Sequence, residues 1–478
     1  MDEIAIEAQP VQRFAPVIGE QPVEKLLDTV GTARNQLGEH TLWHINSTAE
    51  GGGVAEMLHS ILGYPLASDI PLRWLVIDGN DEFFEVTKRL HHLLHGSNGD
   101  GDGLDDADRQ TYESALASSG AQLSQLIRPG DPVILHDPQT LGLAPQLAAA
   151  GAKVVWSCHI GADTPNDRTR AAWRFLEPYA AHTLRQVFSR RQYGWDVLDP
   201  AQVVVIPPCI DAFSAKNQTL TDDTVAAILH AADILAAPTE AAATFTRQHG
   251  TTGRITARAE MIEDAPLPAT AKIVTQISRW DPLKDHAGVM TGFCSEQFDH
   301  DTHLVLAGPS PDSVTDDPES QQTLDELRAS WSQLPPDRRR HVHIACLPMH
   351  DLEENAAIVN ALQRRTDVIV QKSLAEGFGL TVAEGMWKAR PTLGSRVGGI
   401  QDQIENGVSG LLVEPSDLAA FTASLHNLLE EPATAAELGR SAHARACTEY
   451  LAPRHLHRYF RLITELLQDG GTSASQER

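Results

Sequence analysis

Short apolar runs recur along the chain, separated by helix-like segments, and this alternation constrains the fold more than any other feature of the sequence. Several runs are continuously apolar rather than alternating, as expected for strands covered on both faces. The runs form a first series at 72–78, 131–137, 152–160 and 203–208, and a second at 271–278, 302–308, 341–347, 367–373, 390–395 and 409–415. The helix-like segments include 54–62, 167–184, 321–332, 351–365, 381–389 and 417–430. Because strands that alternate with helices through short loops form parallel sheets, we predict an α/β protein with two doubly wound, Rossmann-like domains.

The length of the chain agrees with two domains. Its 478 residues exceed one ordinary core, and a hydrophobic content of 42% suffices to fill two. We place the N-terminal domain at residues 1–208, ending at a Pro-Pro pair, and the C-terminal domain at 209–455. Residues 456–478 are predicted to be a helix end and a loose tail, and that final helix is a candidate to pack back on the N-terminal domain. Residues 217–265 look helical in composition, and their place in the fold is left open.

Charge and cysteine content narrow the class of partner. A formal net charge of -26 opposes nucleic acid and anionic membranes over most of the surface, so a phosphate-bearing ligand needs a local positive pocket. We find no basic start followed by an apolar run, and no stretch near the roughly 18 uninterrupted apolar residues of a membrane span. The five cysteines are scattered, without a CxxC pair, as in a reduced compartment. We expect a cytoplasmic protein with small-molecule substrates, and the sequence leaves a homodimer open.

The segment 374–385, LAEGFGLTVAEG, combines a glycine-rich turn with two glutamates. Glycines let backbone N–H groups approach an anion, and a helix beginning near Thr381 would direct the positive end of its dipole to the same place. Carboxylates repel anions but accept hydrogen bonds from vicinal hydroxyls, so Glu376 would bind a transferred sugar and Glu384 a ribose diol. The alternative is a loop acid and a first-turn helix acid. The turn residues predicted to bind the ligand are Gly377, Phe378, Gly379 and Leu380.

The positive charge for such a site would come from SRWDPLKD (278–285), directly after the first strand of the second series. Ligands of open α/β sheets bind beyond the carboxyl ends of the strands, where this segment and the glycine-rich turn both lie. Arg279 offers a planar fork for a diphosphate and Lys284 a point charge. Each of them alone could equally be a surface charge. Together with the glutamates, they predict a nucleotide-sugar site in which Arg279, Lys284 and Glu376 are catalytic.

A second glycine-rich segment, NSTAEGGGVAEML (46–58), precedes a helix in the first half of the chain. Backbone N–H groups at Gly52 and Gly53 would form a second anion cradle, although the segment matches neither a Walker loop nor GxGxxG. A plain turn with a helix cap is the alternative. Asn46, at the start of this segment, is a candidate to bind the acceptor.

Two further polar residues of the first half lie at strand ends. His159 ends AKVVWSCHI, where a neutral imidazole would orient sugar hydroxyls as a catalytic residue, or serve as a structural hydrogen-bonding group. Asp137, in HDPQT, is either a ligand of an acceptor hydroxyl or an Asx turn before proline.

The sequence predicts no metal site. Asn98, Asp100, Asp102 and Gly103 match the start of an EF-hand loop, but Arg109 stands where a bidentate glutamate is required. We expect a solvated acidic loop there. His91 and His95 lie one helical turn apart without a third ligand nearby.

The second half of the chain resembles the family 4 retaining glycosyltransferases, which have the two-domain GT-B fold. The shared features are the E-x7-E spacing of Glu376 and Glu384, the spacing of Arg279 and Lys284, and VGGI (397–400). More narrowly, roughly residues 40 to 460 are similar to the trehalose glycosyltransferring synthases. The segments that carry this likeness are 44–58, 76–88, 136–143, 156–166, 206–217 and 376–391.

The resemblance implies transfer of glucose from a nucleoside-diphosphate-glucose to C1 of free glucose, with retention, in a reversible reaction that forms α,α-trehalose. It implies two domains facing a central cleft, the N-terminal one on the acceptor side and the C-terminal one binding the donor. It implies no cofactor besides the substrates and no essential metal. It also implies residue roles: diphosphate binding for Arg279 and Lys284, donor-sugar contact for Glu376 and His159, ribose contact for Glu384, and phosphate-side contact for Gly52 and Gly53.

One departure concerns Gly161, which stands where the resembled CHID motif has an acidic residue. The acceptor is therefore less constrained than the donor chemistry. Alternatives are a trehalose phosphorylase, a retaining glucosyltransferase with another acceptor, a glycoside hydrolase with two carboxylates, and a non-catalytic nucleotide-sugar sensor or assembly subunit.

Overall fold

The structure is a computed structural model that describes residues 1–49, 52–97, 103–236, 239–296, 298–299, 301–311 and 318–469. The chain divides into two compact units. The first unit comprises Met1–Cys209 and the chain from Tyr450 onward, and the second comprises Ile210–Glu449. The predicted boundary at 208 lies one residue from this division, whereas the predicted boundary at 455 falls inside the last helix.

The units are built from alternating strands and helices. The strands are β1 (Asp2–Glu3), β2 (Leu42–Asn46), β3 (Leu72–Val76), β4 (Pro132–His136), β5 (Lys153–Cys158), β6 (Arg185–Phe188), β7 (Val203–Val205), β8 (Thr244–Thr246), β9 (Thr252–Arg254), β10 (Glu260–Ile262), β11 (Lys272–Ile277), β12 (Thr302–Pro309), β13 (Val342–Leu347), β14 (Val368–Gln371), β15 (Thr392–Ser395) and β16 (Leu411–Val413). The helices are α1 (Ala15–Ile18), α2 (Glu20–Leu37), α3 (Gly53–Ile61), α4 (Gly63–Leu66), α5 (Asp81–Leu94), α6 (Asp106–Leu126), α7 (Asp137–Leu141), α8 (Ala144–Ala149), α9 (Asp167–Ala180), α10 (Asp222–Ala231), α11 (His286–Ser295), α12 (Pro318–Ser332), α13 (Pro336–Arg339), α14 (Leu352–Arg365), α15 (Leu380–Trp387), α16 (Ile400–Gln403), α17 (Leu418–Glu430), α18 (Pro432–Glu449) and α19 (Ala452–Asp469).

The sheet of the first unit has the strand order β1-β3-β2-β4-β5-β6-β7. All neighbours are parallel except β1, which pairs antiparallel with β3. The chain passes from β2 outward to β3 and then returns to the other side of β2 for β4. The strand order therefore reverses between β2 and β4, and such a switch point forms a crevice at the carboxyl ends of its strands.

The sheet of the second unit has the order β10-β13-β12-β11-β14-β15-β16, with β10 antiparallel and the other neighbours parallel. Here the order reverses between β11 and β14, where Val274 pairs with Val368. Central strands such as β12 and β13 are buried along their length because helices cover both faces. The prediction of two doubly wound domains is confirmed.

Two strands that contain polar residues were not predicted from the sequence. No apolar run was assigned to β2 (LWHIN) or β6 (RQVF), because His44 and Gln186 interrupt them. Both side chains are buried and hydrogen-bonded: Gln186 Nε2 donates to Thr183 Oγ1 at 2.8 Å, and His44 Nδ1 lies 3.0 Å from Nε2 of His136. Partnered polar groups can occupy a core strand, and their partners are visible only in three dimensions.

The helical expectation for residues 217–265 is wrong for most of this segment. Within it, α10 is helical, β8 and β9 form an antiparallel hairpin, and β10 extends the edge of the second sheet. Arg247, beside the hairpin, forms ion pairs with Asp351 at 2.5 Å and Glu353 at 3.1 Å near the start of α14. The segment therefore belongs to the second unit, and its hairpin is attached to α14 by these ion pairs.

The last helix, α19, returns the chain to the first unit. Its buried face carries Leu456, Phe460 and Ile463 at helical spacing. His457 Nδ1 lies 2.9 Å from Thr29 Oγ1 of α2, and Lys153 Nζ donates to the carbonyl of Leu466 at 2.5 Å. The predicted tail beyond residue 469 and residues 98–102 of the predicted acidic loop lie outside the described residues. Within the described part of the chain, no helix has the length and apolar character required to cross a membrane.

Candidate active site

A buried glutamine joins the two loops at the switch point of the second sheet. Gln276, near the end of β11, donates through Nε2 to the carbonyl of Lys284 at 2.7 Å and accepts through Oε1 from the N–H of Lys372 at 2.9 Å. A backbone bond from the N–H of Leu374 to the carbonyl of Leu283, at 2.7 Å, adds a second link. The loops after β11 and β14 are therefore held together, as the rule for strand ends predicted.

These links bring Lys284 and Glu376 into direct contact. Lys284 Nζ donates to Glu376 Oε2 at 2.7 Å, and the two side chains are only 14% and 11% exposed. Ser373 Oγ donates to the same oxygen at 3.2 Å. Lys372 and Asp285 form a second, adjacent ion pair. Lys284 was predicted to bind phosphate and Glu376 to bind hydroxyls, and in the structure the two side chains also neutralise each other.

The glycine-rich turn follows Glu376 and starts α15 at Leu380, one residue before the predicted position. Gly379 caps the helix with a φ of 86°, a left-handed conformation that favours glycine. Gln403 Nε2 donates to the carbonyl of Phe378 at 2.6 Å, and the N–H of Gly399 donates to the carbonyl of Gly377 at 3.1 Å. A Cβ at Gly399 would lie 2.6 Å from Cα of Phe378, so the VGGI segment packs backbone to backbone against the turn.

Arg279 lies on the same loop as Lys284, and its side chain is half-exposed. Its Nη2 lies 3.7 Å from Asp281 Oδ2. The exposure leaves the guanidinium accessible to an anion, and its role as a diphosphate ligand stays a prediction.

Glu384 is buried on α15, with 3% of its surface exposed, and it lies beyond the first turn of the helix, so the alternative of a first-turn helix acid is wrong. Gln363 Nε2, from α14, donates to Glu384 Oε2 at 2.7 Å. Lys216 Nζ lies 3.7 Å from Oε1 and provides a countercharge. Both partners are distant from Glu384 in sequence, so neither contact was predicted, although KN at 216–217 lies in a segment that carries the resemblance.

The carboxyl edge of the first sheet brings Asp137 and His159 together. His159 follows β5 and Asp137 follows β4. The N–H of His159 donates to Asp137 Oδ1 at 2.9 Å. Burial raises the pKa of the Asp137 carboxyl, against the opposing effect of His159. Burial also lowers the pKa of the His159 imidazole, although Asp137 opposes the shift. The lowered pKa favours the neutral ring proposed from the sequence.

A histidine cluster (His44, His136, His159 and His455) lies behind this edge, and the sequence analysis recognised only His159. The rings of His136 and His159 stack with centroids 6.4 Å apart, and His44 and His455 line the same small cavity as His136. Burial lowers the pKa of His44 to about 3 and that of His455 to about 4. The pKa of His136 is also lowered, first by burial and then by the neighbouring histidines. The cluster is therefore uncharged at neutral pH.

The glycine segment of the first unit has a local structural role as well. Asn46 closes the turn after β2, because its Nδ2 donates to the carbonyl of Thr48 and its Oδ1 accepts from the N–H of Ser47, each at 2.9 Å. Gly52 caps α3, which begins at Gly53, while Gly51 lies outside the described residues. A Cβ on Gly52 would meet no atom within 4 Å, so packing does not require this glycine. Acceptor binding by Asn46 and phosphate binding by Gly52 and Gly53 stay predictions.

The departure at Gly161 has a steric reason. A Cβ at this position would lie 2.3 Å from Cγ of Tyr193, a buried residue. An acidic side chain would therefore displace the Tyr193 ring. Nearby, Asp163 forms an ion pair with Arg190, whose guanidinium lies over the Tyr193 ring at 5.5 Å.

Within the described residues, no group of three or more His, Cys, Asp or Glu side chains is placed to hold a metal ion. His91 and His95 do stack, with ring centroids 4.8 Å apart.

Comparison with known proteins places this arrangement in a family. Residues 44–194 match "Trehalose synthase, N-terminal domain" and residues 257–445 match "Glycosyl transferases group 1". A trehalose synthase of Pyrococcus horikoshii is 30% identical over 97% of this chain and 98% of its own length. The chain belongs to the trehalose synthase family. This trehalose synthase family member also resembles a trehalose phosphorylase of Pleurotus pulmonarius, at 25% identity over 86% of this chain and 54% of that protein.

Solved structures show the fold of the family member. An α,α-trehalose-phosphate synthase (UDP-forming) from Burkholderia xenovorans, in complex with glucose-6-phosphate, superimposes with a TM-score of 0.64. The match covers 89% of this chain and 100% of the other, at 14% identity. The predicted GT-B fold, with its two Rossmann-like domains, is confirmed. The trehalose synthase family member is therefore a GT-B glycosyltransferase.

Proposed function

We propose that the protein is a retaining hexosyltransferase that transfers glucose from a nucleoside-diphosphate-glucose to glucose and forms α,α-trehalose, in a reversible reaction. The observation that carries this proposal is the contact of Lys284 with Glu376 at 2.7 Å, at the switch point between β11 and β14. A sugar bound to a diphosphate requires a basic group for its phosphates next to an acidic group for its hydroxyls. Lys284 and Glu376 provide this pair.

Lys284 can serve both halves of the donor at once. Its ammonium group carries three donors, so a bond to Glu376 leaves capacity for phosphate oxygens. Arg279, half-exposed on the same loop, would bind the diphosphate through its planar fork. The N-terminus of α15 adds N–H groups and the positive end of a helix dipole. These groups would stabilise the charge that grows on the diphosphate as its bond to the sugar breaks.

The proposed chemistry is attack from the face on which the diphosphate leaves. The bond from C1 of the donor glucose to the diphosphate oxygen breaks, and a bond from C1 to the acceptor hydroxyl oxygen forms on the same side. A phosphate oxygen takes the hydroxyl proton. The protein has to position the reactants and stabilise charge, and this arrangement requires no protein nucleophile.

The first unit would mainly hold the sugars of the reaction, which are uncharged. A neutral His159 donates or accepts without repelling a sugar, and its backbone is fixed by the bond to Asp137. Asp137 and Asn46 remain candidates for the acceptor, and Gly52 and Gly53 for the phosphate side. We further propose that the basic side chains replace a metal, that no cofactor is used, and that the enzyme works in the cytoplasm.

A matrix of donors and acceptors tests the proposal. ADP-, UDP- and GDP-glucose would each be incubated with glucose, glucose phosphate and other sugars, and the products examined by NMR. We expect the α,α linkage from glucose with at least one donor. Release of glucose by water alone, from trehalose or from the donors, would instead indicate a hydrolase, and binding without turnover would indicate a sensor.

A trehalose phosphorylase is the second candidate, favoured by the similarity to the Pleurotus protein. Lys284 and Arg279 could bind inorganic phosphate as well as a diphosphate. Trehalose would be incubated with phosphate or, separately, with each nucleoside diphosphate. Glucose release with phosphate alone would support the phosphorylase, and release with a nucleoside diphosphate alone would support the transferase.

A further inference from the structure

The short segment before α10, residues 211–218, is fixed on α14 and α15 by side chains that are buried or half-buried. Asn360 Nδ2 donates to the carbonyls of Ala215 at 3.0 Å and Gln218 at 2.9 Å. Arg364, also from α14, donates to the carbonyl of Gln218 at 2.8 Å. Because side chains of α14 donate hydrogen bonds to several carbonyls of the segment, its backbone is fixed relative to α14.

The side chain of Asn217 adds a link to α15. Its Oδ1 accepts from Lys388 Nζ at 2.9 Å, and its backbone carbonyl accepts from Trp387 Nε1, also at 2.9 Å. Asn217 and Lys388 are both buried. These polar contacts with α14 and α15 hold the neighbouring residue, Lys216, in a defined place.

Lys216 lies close to Glu384 without a hydrogen bond to it. Its Nζ is 3.7 Å from Oε1, within ion-pair distance but beyond the usual range of a hydrogen bond. Gln363 occupies the other oxygen at 2.7 Å. A buried carboxylate needs a compensating charge, and Lys216 provides it while acceptor capacity remains on Oε1. Lys216 is 18% exposed, so its ammonium can also meet a ligand.

We propose that Lys216 is a specificity-determining residue of the donor site, which recognises the vicinal diol of the nucleoside ribose together with Glu384. The carboxylate would accept hydrogen bonds from the two hydroxyls, and the ammonium would donate to one hydroxyl oxygen. This inference rests on the proposed function, because it requires that a nucleotide binds at the second unit. A site built to bind a hydroxyl discriminates strongly against a ligand that lacks it.

The test compares ribose with deoxyribose. Binding of UDP and ADP, and of their 2′-deoxy counterparts, would be measured by calorimetry for the full-length wild type, Lys216→Met and Lys216→Arg. We expect wild type to prefer the ribonucleotide by about tenfold or more, since hydrogen bonds to charged groups have this strength. Lys216→Met should lose most of this preference, and Lys216→Arg should retain part of it. In turnover, Lys216→Met should raise KM for the donor while kcat changes by less than about threefold.

Lys272→Met is the matched control. Lys272 begins β11, at the amino end of the strand and therefore away from the donor site, and it is 43% exposed beside Asp299. It should keep the wild-type preference. If Lys216→Met weakens both nucleotides equally, or leaves their ratio unchanged, the inference is overturned while the donor site stands. Wild type that binds neither UDP nor ADP would refute the proposed donor site together with this inference.

Discussion

The carboxyl edges of the two sheets have the same architecture and opposite chemistry. The edge of the second sheet carries ion pairs, Lys284 with Glu376 and Lys372 with Asp285. The edge of the first carries His159, stacked on His136, and a carboxyl at Asp137 whose pKa is raised by burial. The edge of the second sheet therefore concentrates ion pairs in a largely buried place, whereas burial keeps the histidines at the edge of the first sheet neutral.

In both units the fold determines where the site lies, and the side chains determine which class of ligand it can bind. The charged edge suits a diphosphate, whose charge must be compensated as it leaves. The edge of the first sheet, with its neutral histidines, suits sugar hydroxyls, which need hydrogen bonds and no countercharge. In a chain with a net charge of -26, an anion site also requires basic residues concentrated at one place.

Removing the ammonium of Lys284 should produce the largest effect. Lys284→Ala should lower kcat for glucosyl transfer by a hundredfold or more, since one charge-stabilising donor contributes on the order of 3 kcal/mol. It would also leave Glu376 without its counterion. Steady-state kinetics with circular dichroism would check this, with Lys272→Ala as the control. Near-normal turnover in Lys284→Ala would remove the basis for a charged donor edge.

The histidine cluster of the first unit should make the protein sensitive to acid. His44 and His455 have folded-state pKa values of about 3 and about 4, below the unfolded value of roughly 6.5. The unfolded chain therefore binds more protons below about pH 6.5, and stability is lost as the pH falls from there toward 4. Each such histidine contributes a slope of about 1.4 kcal/mol per pH unit.

Urea unfolding between pH 4.5 and 7.5, for wild type and His44→Gln, would measure this slope. The variant should lose about one histidine's share of it, because glutamine does not titrate. Equal slopes in the two proteins would show that His44 is not held neutral in the folded state.

His159 should matter less than Lys284 because it acts through neutral hydrogen bonds. We expect His159→Ala to lower kcat/KM by about tenfold, corresponding to roughly 1 kcal/mol for a neutral hydrogen bond. His159→Asn, which keeps a donor and an acceptor, should recover part of the rate. A loss as large as that in Lys284→Ala would assign His159 a larger role than orienting hydroxyls.

Removing divalent metal should produce the smallest effect. If Arg279 and Lys284 compensate the diphosphate charge, dialysis against EDTA should leave kcat within about twofold of the untreated enzyme. A rate that collapses and returns with Mg²⁺ would show that the side chains do not suffice.

Much of this comparison could be predicted from the sequence, because parallel strands place their following loops at one edge. The rule located Lys284 and Glu376 near each other and located His159 at the edge of the first sheet. It could not show the ion pair itself, since that contact depends on Gln276, a buried residue with no motif of its own.

Several contacts between residues that are distant in sequence could not be predicted from the sequence. Lys216 and Gln363 meet Glu384 only because α14, α15 and the segment before α10 pack together. His44 lies in β2, which was not predicted as a strand because this polar residue interrupts its apolar run. Gly161 appeared as a departure from a motif, and its reason, the ring of Tyr193, comes from another part of the chain.

Calorimetric titration of a nucleoside diphosphate into the full-length protein would show which sheet edge binds the donor. UDP and ADP would be titrated into wild type, Lys284→Ala, Arg279→Ala and His159→Ala. We expect the Lys284 and Arg279 variants to lose at least tenfold in affinity, with a weaker dependence on salt, while His159→Ala binds within about threefold of wild type. Loss of diphosphate binding in His159→Ala, with binding retained in Lys284→Ala, would contradict the assignment of the charged edge to the donor.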